Sequence, residues 1–222
     1  MKKLIHVLNI NDFFPELFAL TFPTIQAYAE RHGFEINLIT ERKFSDYPIN
    51  YEKMQVFEDG KGAYLNMLCD ADMLIHPQFP DVKDIVDPKN VAFNDNYNIS
   101  HKYYADRIPY FVRDGRDVGI ATNFVVTSNL THDLWEPLPL TPQQISNFAI
   151  PNNDEPGEWN RGWGHYADEF ALSFNLAKYG LKYQGICPED WQRPYLIHVG
   201  TGDTEKSLRI AKETLTQWAT LK

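Results

Sequence analysis

The chain has only two cysteines, Cys69 and Cys187, in 222 residues. Two are too few for a disulfide framework, and both sit among apolar neighbours. Free buried thiols in a reducing cytoplasm are therefore expected, with a single disulfide as the alternative. Basic charge is also scarce: Lys and Arg number 21 against 30 Asp and Glu, a formal net charge of −9. No basic stripe is present to release counterions, which argues against a general nucleic-acid or anionic-membrane binder. An acidic protein can still take an anionic nucleotide when a divalent cation bridges the two. Long apolar runs are missing as well. None approaches the roughly 20 residues of a membrane helix, and the run after Met1-Lys-Lys is too short for a signal peptide. No integral membrane segment and a cytoplasmic location are the expectation. Glycine-rich phosphate loops are absent too. Neither G-x-G-x-x-G nor a P-loop follows the first apolar run, which argues against dinucleotide dehydrogenases and P-loop NTPases.

What the sequence does hold is an ordinary globular composition, 43% hydrophobic and 23% charged. Its length suits one domain, 1–222, with a sizeable core. Residues 4–8 read as a buried strand, followed by the loop Asn9-Ile-Asn-Asp-Phe-Phe. Residues 23–32 read as a helix: Pro23 suits a first helical position, Ile25 and Ala29 lie four apart, and Gly33 is the stop. Residues ahead of Pro23 are expected to form a separate or kinked turn. A second strand over 34–40, a short helix over 51–57 and a third strand over 64–68 follow. Further strands are expected at 91–93, 119–127, 183–186 and 195–198, and helices at 166–179 and 203–221. Segment 130–164 is rich in Pro, Asn and Trp and shows no long periodic element, as lids and acceptor-binding loops often do. The order βαβαβ, then mixed elements, indicates an α/β domain with a largely parallel sheet.

The third strand runs into Asp70-Ala71-Asp72, and apolar residues resume at once. A strand ending this way delivers two carboxylates to the sheet edge where open α/β sheets bind ligands. Two hard oxygen ligands suit Mg²⁺ or Mn²⁺, and such an ion suits a diphosphate. The competing reading is that Asp70 and Asp72 cap the next turn and face water.

Other motifs follow in a fixed order around this pair. They are Tyr51-Glu-Lys-Met-Gln-Val, Ala121-Thr-Asn-Phe-Val-Val-Thr, Asp168-Glu-Phe-Ala-Leu-Ser and Tyr195-Leu-Ile-His-Val-Gly-Thr-Gly-Asp-Thr-Glu-Lys. Together they resemble the nucleotide-sugar glycosyltransferases of the GT-A fold, most of all the retaining group of glycogenin and the lipooligosaccharide galactosyltransferases. The resemblance spans residues 4–206 and is weakest over 130–164. It implies a Rossmann-like GT-A architecture, with a mixed, largely parallel sheet flanked by helices. It also implies that Asp70, Asp72 and His198 hold Mn²⁺ or Mg²⁺. Lys53 would reach toward the donor, Asn123 would contact the donor sugar, and Asp168 would hydrogen-bond the transferred sugar. Glu169 stands where many relatives carry Gln, and Gly200 and Lys206 fall where the family clasps the diphosphate. The chain departs from the family pattern in two places: Val125 replaces a glycine, and a Pro-Trp pair after Lys206 is missing.

The activity so implied moves a sugar from a nucleotide-diphosphate sugar, with UDP-sugar favoured, to a carbohydrate or glycoconjugate acceptor, with retention. The ion would stabilise charge on the leaving diphosphate. Retention would come from attack on the departing face or from a covalent intermediate on Glu169. Trp135, Trp159 and Trp163 are candidate stacking surfaces for the acceptor. Two alternatives stand beside this. A sugar nucleotidyltransferase would need a glycine-rich basic loop after the first strand, which Asn9-Ile-Asn-Asp-Phe-Phe-Pro lacks. A catalytically inactive sugar-binding protein would not need the acids and His198.

Overall fold

The computed structural model describes residues 1–94, 112, 113, 116, 117, 120–149, 167–186 and 195–220. The first apolar run is β1 (Lys3–Leu8), followed by α1 (Pro15–His32) and β2 (Glu35–Ile39). A 3₁₀ turn (Ile49–Gln55) leads into α2 (Val56–Asp59), then β3 (Leu65–Asp70) and β4 (Met73–Ile75). Next come α3 (Val82–Ile85), β5 (Asn90–Phe93) and a small antiparallel pair, β6 (Val112–Arg113) and β7 (Arg116–Asp117). The chain continues through β8 (Phe124–Ser128), a second 3₁₀ turn (His132–Trp135), α4 (Pro142–Ala149) and α5 (Ala167–Lys178). It closes with β9 (Lys182–Gly185), β10 (Leu196–His198) and α6 (Thr204–Thr220).

Among the described residues six strands form one sheet in the order β2-β1-β3-β8-β5-β9. The β1–β2, β1–β3 and β5–β9 ladders are parallel, while β8 runs against both of its neighbours. The sheet is thus mixed and largely parallel, as the element order implied. Both faces are covered, which is why its central strands are apolar almost throughout. Leu68, Val125 and Phe93 join Trp135 and Phe170 on one side. Met67, Cys69, Phe124 and Val126 join Ile25, Tyr28 and Phe79 on the other. A third cluster, around Leu17, Leu74, Val199 and Ala211, seats α6. Among the described residues no helix is long and apolar enough to cross a membrane.

Several expectations need correction. Residues ahead of Pro23 form no separate turn: α1 is a single helix from Pro15, with Pro23 inside it. The face carrying Leu17, Thr21, Ile25, Tyr28 and Ala29 is buried, and that packing outweighs the lost helical hydrogen bond. Pro15 takes the position at the helix start that Pro23 was expected to hold. Lys53 rides on a 3₁₀ turn rather than a regular α-helix. Asn123 precedes β8 instead of lying within it. The stretch 130–164 is less irregular than expected, since it contains a 3₁₀ turn and α4. Trp135 is no acceptor platform. It is fully buried and donates from Nε1 to Thr127 Oγ1 at 2.8 Å. Cys69 is a free, buried thiol whose pKa is pushed up, first by burial and then by Asp70 and Asp72. Trp159, Trp163, Cys187 and the possible lid beyond residue 149 lie outside the described residues.

Candidate functional site

β3 ends at Asp70, whose backbone N–H donates to the carbonyl of Asn123 at 2.9 Å. This bond fixes where the first carboxylate leaves the sheet. Asp72 comes one turn later, just ahead of β4. β10 pairs antiparallel with β4 and places His198 opposite Met73. The Val199 N–H then donates to the Asp72 carbonyl at 3.0 Å. Strand pairing therefore brings the imidazole to the second carboxylate, and His198 Nε2 lies 3.2 Å from Asp72 Oδ1. Asp70, Asp72 and His198 each offer a ligand atom, all within 4.8 Å of one another.

Gly200 gives this group its room. A Cβ there would lie 2.0 Å from Asp72 Oδ2 and 3.1 Å from His198 Nε2. Only a residue without a side chain lets the loop after β10 pass so close. Two carboxylates and an imidazole converging in this cradle fit Mn²⁺ or Mg²⁺, with the imidazole favouring Mn²⁺.

Lys53 stands behind the cluster, 4% exposed. Its Nζ lies 2.7 Å from Asp70 Oδ1 and 2.8 Å from Asp168 Oδ2. It also donates to the Thr122 carbonyl at 3.2 Å. Burial alone would lower the Lys53 pKa, but Asp168 and Asp70 outweigh it and raise it. Asp168, in the first turn of α5, accepts from Thr122 Oγ1 at 2.6 Å and from Asn50 Nδ2 at 2.7 Å. Both of its oxygens are therefore engaged by protein groups.

The charges are unevenly held. Burial raises the pKa of Asp70, with Lys53 opposing. Burial acts on Asp72 too, but the hydrogen bond and charge of His198 prevail and lower it. Against its own burial, His198 is raised by Asp72. Burial, reinforced by Asp168, pushes Glu169 up to about 8, and its Oε2 is buried without a hydrogen-bond partner. Asn123 Oδ1 is likewise buried and unpartnered.

The sequence candidates thus divide by position. Asp70, Asp72, His198 and Gly200 come together at one point, with Lys53 and Asp168 directly behind Asp70. Asn123 touches the group through its backbone. Lys206 stands exposed in the first turn of α6, where its backbone N–H donates to the capping Asp203 Oδ1 at 3.0 Å. Thr122 and Asn50 were not among the candidates. Thr122 adjoins Asn123 in the sequence, but no motif marks Asn50, and only folding brings it to α5.

No protein-family model matches the sequence, and no curated protein matches it. Solved structures do match in fold. The chain is similar to a glycosyltransferase involved in glycosylation of the major capsid of PBCV-1, at 8% identity and TM-score 0.55, covering 96% of this chain and 100% of that one. It also matches a Drosophila galactosyltransferase 7 mutant in complex with manganese, UDP-Gal and xylobiose. That match has 12% identity and TM-score 0.48, and covers 90% of this chain and 72% of that one. The likeness to the PBCV-1 enzyme establishes the fold class: a GT-A type mixed, largely parallel sheet flanked by helices.

Proposed function

We propose that this chain is a metal-dependent glycosyltransferase that moves a sugar from a nucleoside-diphosphate sugar, UDP-sugar preferred, to a carbohydrate or glycoconjugate acceptor. The observation that carries this reading is the meeting of Asp70, Asp72 and His198 at the end of β3, in a cradle that Gly200 keeps open. The fold shared with a glycosyltransferase supports it.

Bound there, Mn²⁺ or Mg²⁺ would act as a Lewis acid on the departing diphosphate. The protein's own share is to hold and orient. Asp70 and Asp72 fix the carboxylate ligands at the strand end, and the β4–β10 pairing aims His198 at the same point. Asn123 Oδ1 and Glu169 Oε2, buried and unpartnered, are acceptors suited to donor hydroxyls. Thr122, Asn50 and Lys53 fix the Asp168 carboxylate, and its remaining lone pair would accept from a sugar hydroxyl. Retention at the anomeric carbon belongs to this proposal. Glu169 is a weak covalent nucleophile near neutral pH because burial favours its neutral form, so attack on the departing face is the preferred route.

Thermal shift with UDP, with and without Mn²⁺, tests the reading. Stabilisation that needs both, that EDTA abolishes and that Asp72→Asn removes is expected. UDP binding undiminished in EDTA would overturn it. Slow hydrolysis of a panel of UDP- and GDP-sugars would then name the donor, and the anomer first released would report retention or inversion.

A further inference from the structure

Lys53 is caught between two carboxylates. Its ammonium has three N–H donors. Four acceptors surround it: Asp70 Oδ1 at 2.7 Å, Asp168 Oδ2 at 2.8 Å, the Thr122 carbonyl at 3.2 Å and Thr122 Oγ1 at 3.4 Å. No donor is left over for a phosphate. The far carboxylate is itself anchored, since Asp168 accepts from Asn50 Nδ2 and Thr122 Oγ1. The ammonium is therefore fixed on the side of Asp70 away from solvent and cannot swing out without leaving two acids there with no cation to balance them.

This position has a cost for a metal ion. Asp70 is one of the three candidate ligands, and Lys53 already pairs with it from inside at 2.7 Å. A divalent cation approaching Asp70 also meets the positive charge of Lys53 across one carboxylate, where burial weakens screening. A diphosphate removes that penalty, because its oxygens add negative charge on the open side. Resting on the glycosyltransferase reading above, we propose that Lys53 is an internal counter-cation to Asp70 rather than a phosphate-binding hand. As a positioning residue it would hold the site's affinity for a bare divalent ion low, so that the ion loads together with the nucleoside diphosphate.

Mn²⁺ binding to the full chain, followed by the loss of the free-ion electron paramagnetic resonance signal, tests this without any turnover. Wild type should bind Mn²⁺ alone at least about 10-fold more weakly than in the presence of UDP. Lys53→Gln should tighten binding of Mn²⁺ alone by about 10-fold or more, and Lys53→Arg should not. If Lys53→Gln lowers Tm by stranding Asp70 and Asp168, Mn²⁺ alone should restore the part that belongs to Asp70, because the ion then balances that carboxylate. A Lys53→Gln chain with unchanged or weaker affinity for Mn²⁺ alone, or one that Mn²⁺ fails to restore, would overturn the proposal. So would a wild type that holds Mn²⁺ equally well with and without UDP, a result that leaves the glycosyltransferase reading intact. No response of wild type to Mn²⁺ and UDP together would instead sink that reading and this one with it.

Discussion

Gly200 shows how closely one position governs the cluster. Any side chain there collides with Asp72 and crowds His198. Gly200→Ala should weaken Mn²⁺-dependent UDP binding by about 10- to 100-fold, as read by thermal shift, while the metal-free chain melts within a few degrees of wild type. His6 makes a different prediction. It is fully buried in β1, with Nε2 at 2.9 Å from Asn66 Oδ1 and Nδ1 at 3.0 Å from Asn37 Nδ2. Burial lowers its pKa to about 4. The unfolded chain takes up a proton near pH 6.5 and the folded chain does not, so stability should fall as pH drops from 6.5 toward 4. The full loss is about 3 kcal/mol at roughly 1.4 kcal/mol per pKa unit. Urea midpoints at pH 7 and pH 4.5 measure it, and His6→Gln should flatten the difference. Glu169 has the opposite sign. Its folded value of about 8 lies above the ordinary carboxyl range, so its contribution is lost as pH rises from about 4.5 through 8. Glu169→Gln should therefore raise Tm more at pH 9 than at pH 5, and an equal gain at both would refute the assignment. The meeting of Asp70, Asp72 and His198 was legible only through the family resemblance that Asp-x-Asp and His-x-Gly carry, since the two motifs lie far apart in the sequence. The hold of Asn50 and Thr122 on Asp168 was not, because neither residue carries a local sign of the partner it meets after folding.

Among the helices and strands, those with a strong period were foreseen and those set by end chemistry were missed. β1, β3 and α6 fall within a residue or two of their expected bounds, the strands because burial on both faces leaves a short continuous apolar run and the helix because one buried face leaves a repeat. α4 was passed over, although its start carries a signature. Thr141 and Gln144 form a reciprocal cap: Gln144 N–H donates to Thr141 Oγ1 at 3.3 Å and Thr141 N–H to Gln144 Oε1 at 2.8 Å, with Pro142 opening the helix. The apolar content of that helix is too low to announce it by periodicity. Thr141→Ala should cost about 1 kcal/mol, seen as faster amide exchange across α4, and an unchanged exchange pattern would show that the cap is idle. Pro23 misled for the converse reason. Its local chemistry suits a first helical position, but the buried face of α1 spans it, and tertiary packing overrides propensity.

Taken whole, the molecule sets a net charge of −9 against the nucleoside diphosphate proposed as its ligand, which is itself anionic. Without a bridging cation that arrangement repels a diphosphate at every distance the solvent does not screen. UDP affinity should thus rise at least about 10-fold when Mn²⁺ is added, the same factor by which UDP tightens Mn²⁺, measured by calorimetry, and a gain below a few-fold would mean that the acidic surface is not what the ion must overcome. The fold class was legible because a βαβαβ order admits few arrangements. The reversal of β8 was not, because its apolar residues pair equally well in either direction. The small ladder of β4 and β10 has one more consequence. A ribosome making this polypeptide lays down all six strands of the main sheet before the imidazole of His198 appears. The scaffold can therefore mature first, and the three candidate ligands come together only when this last short strand docks.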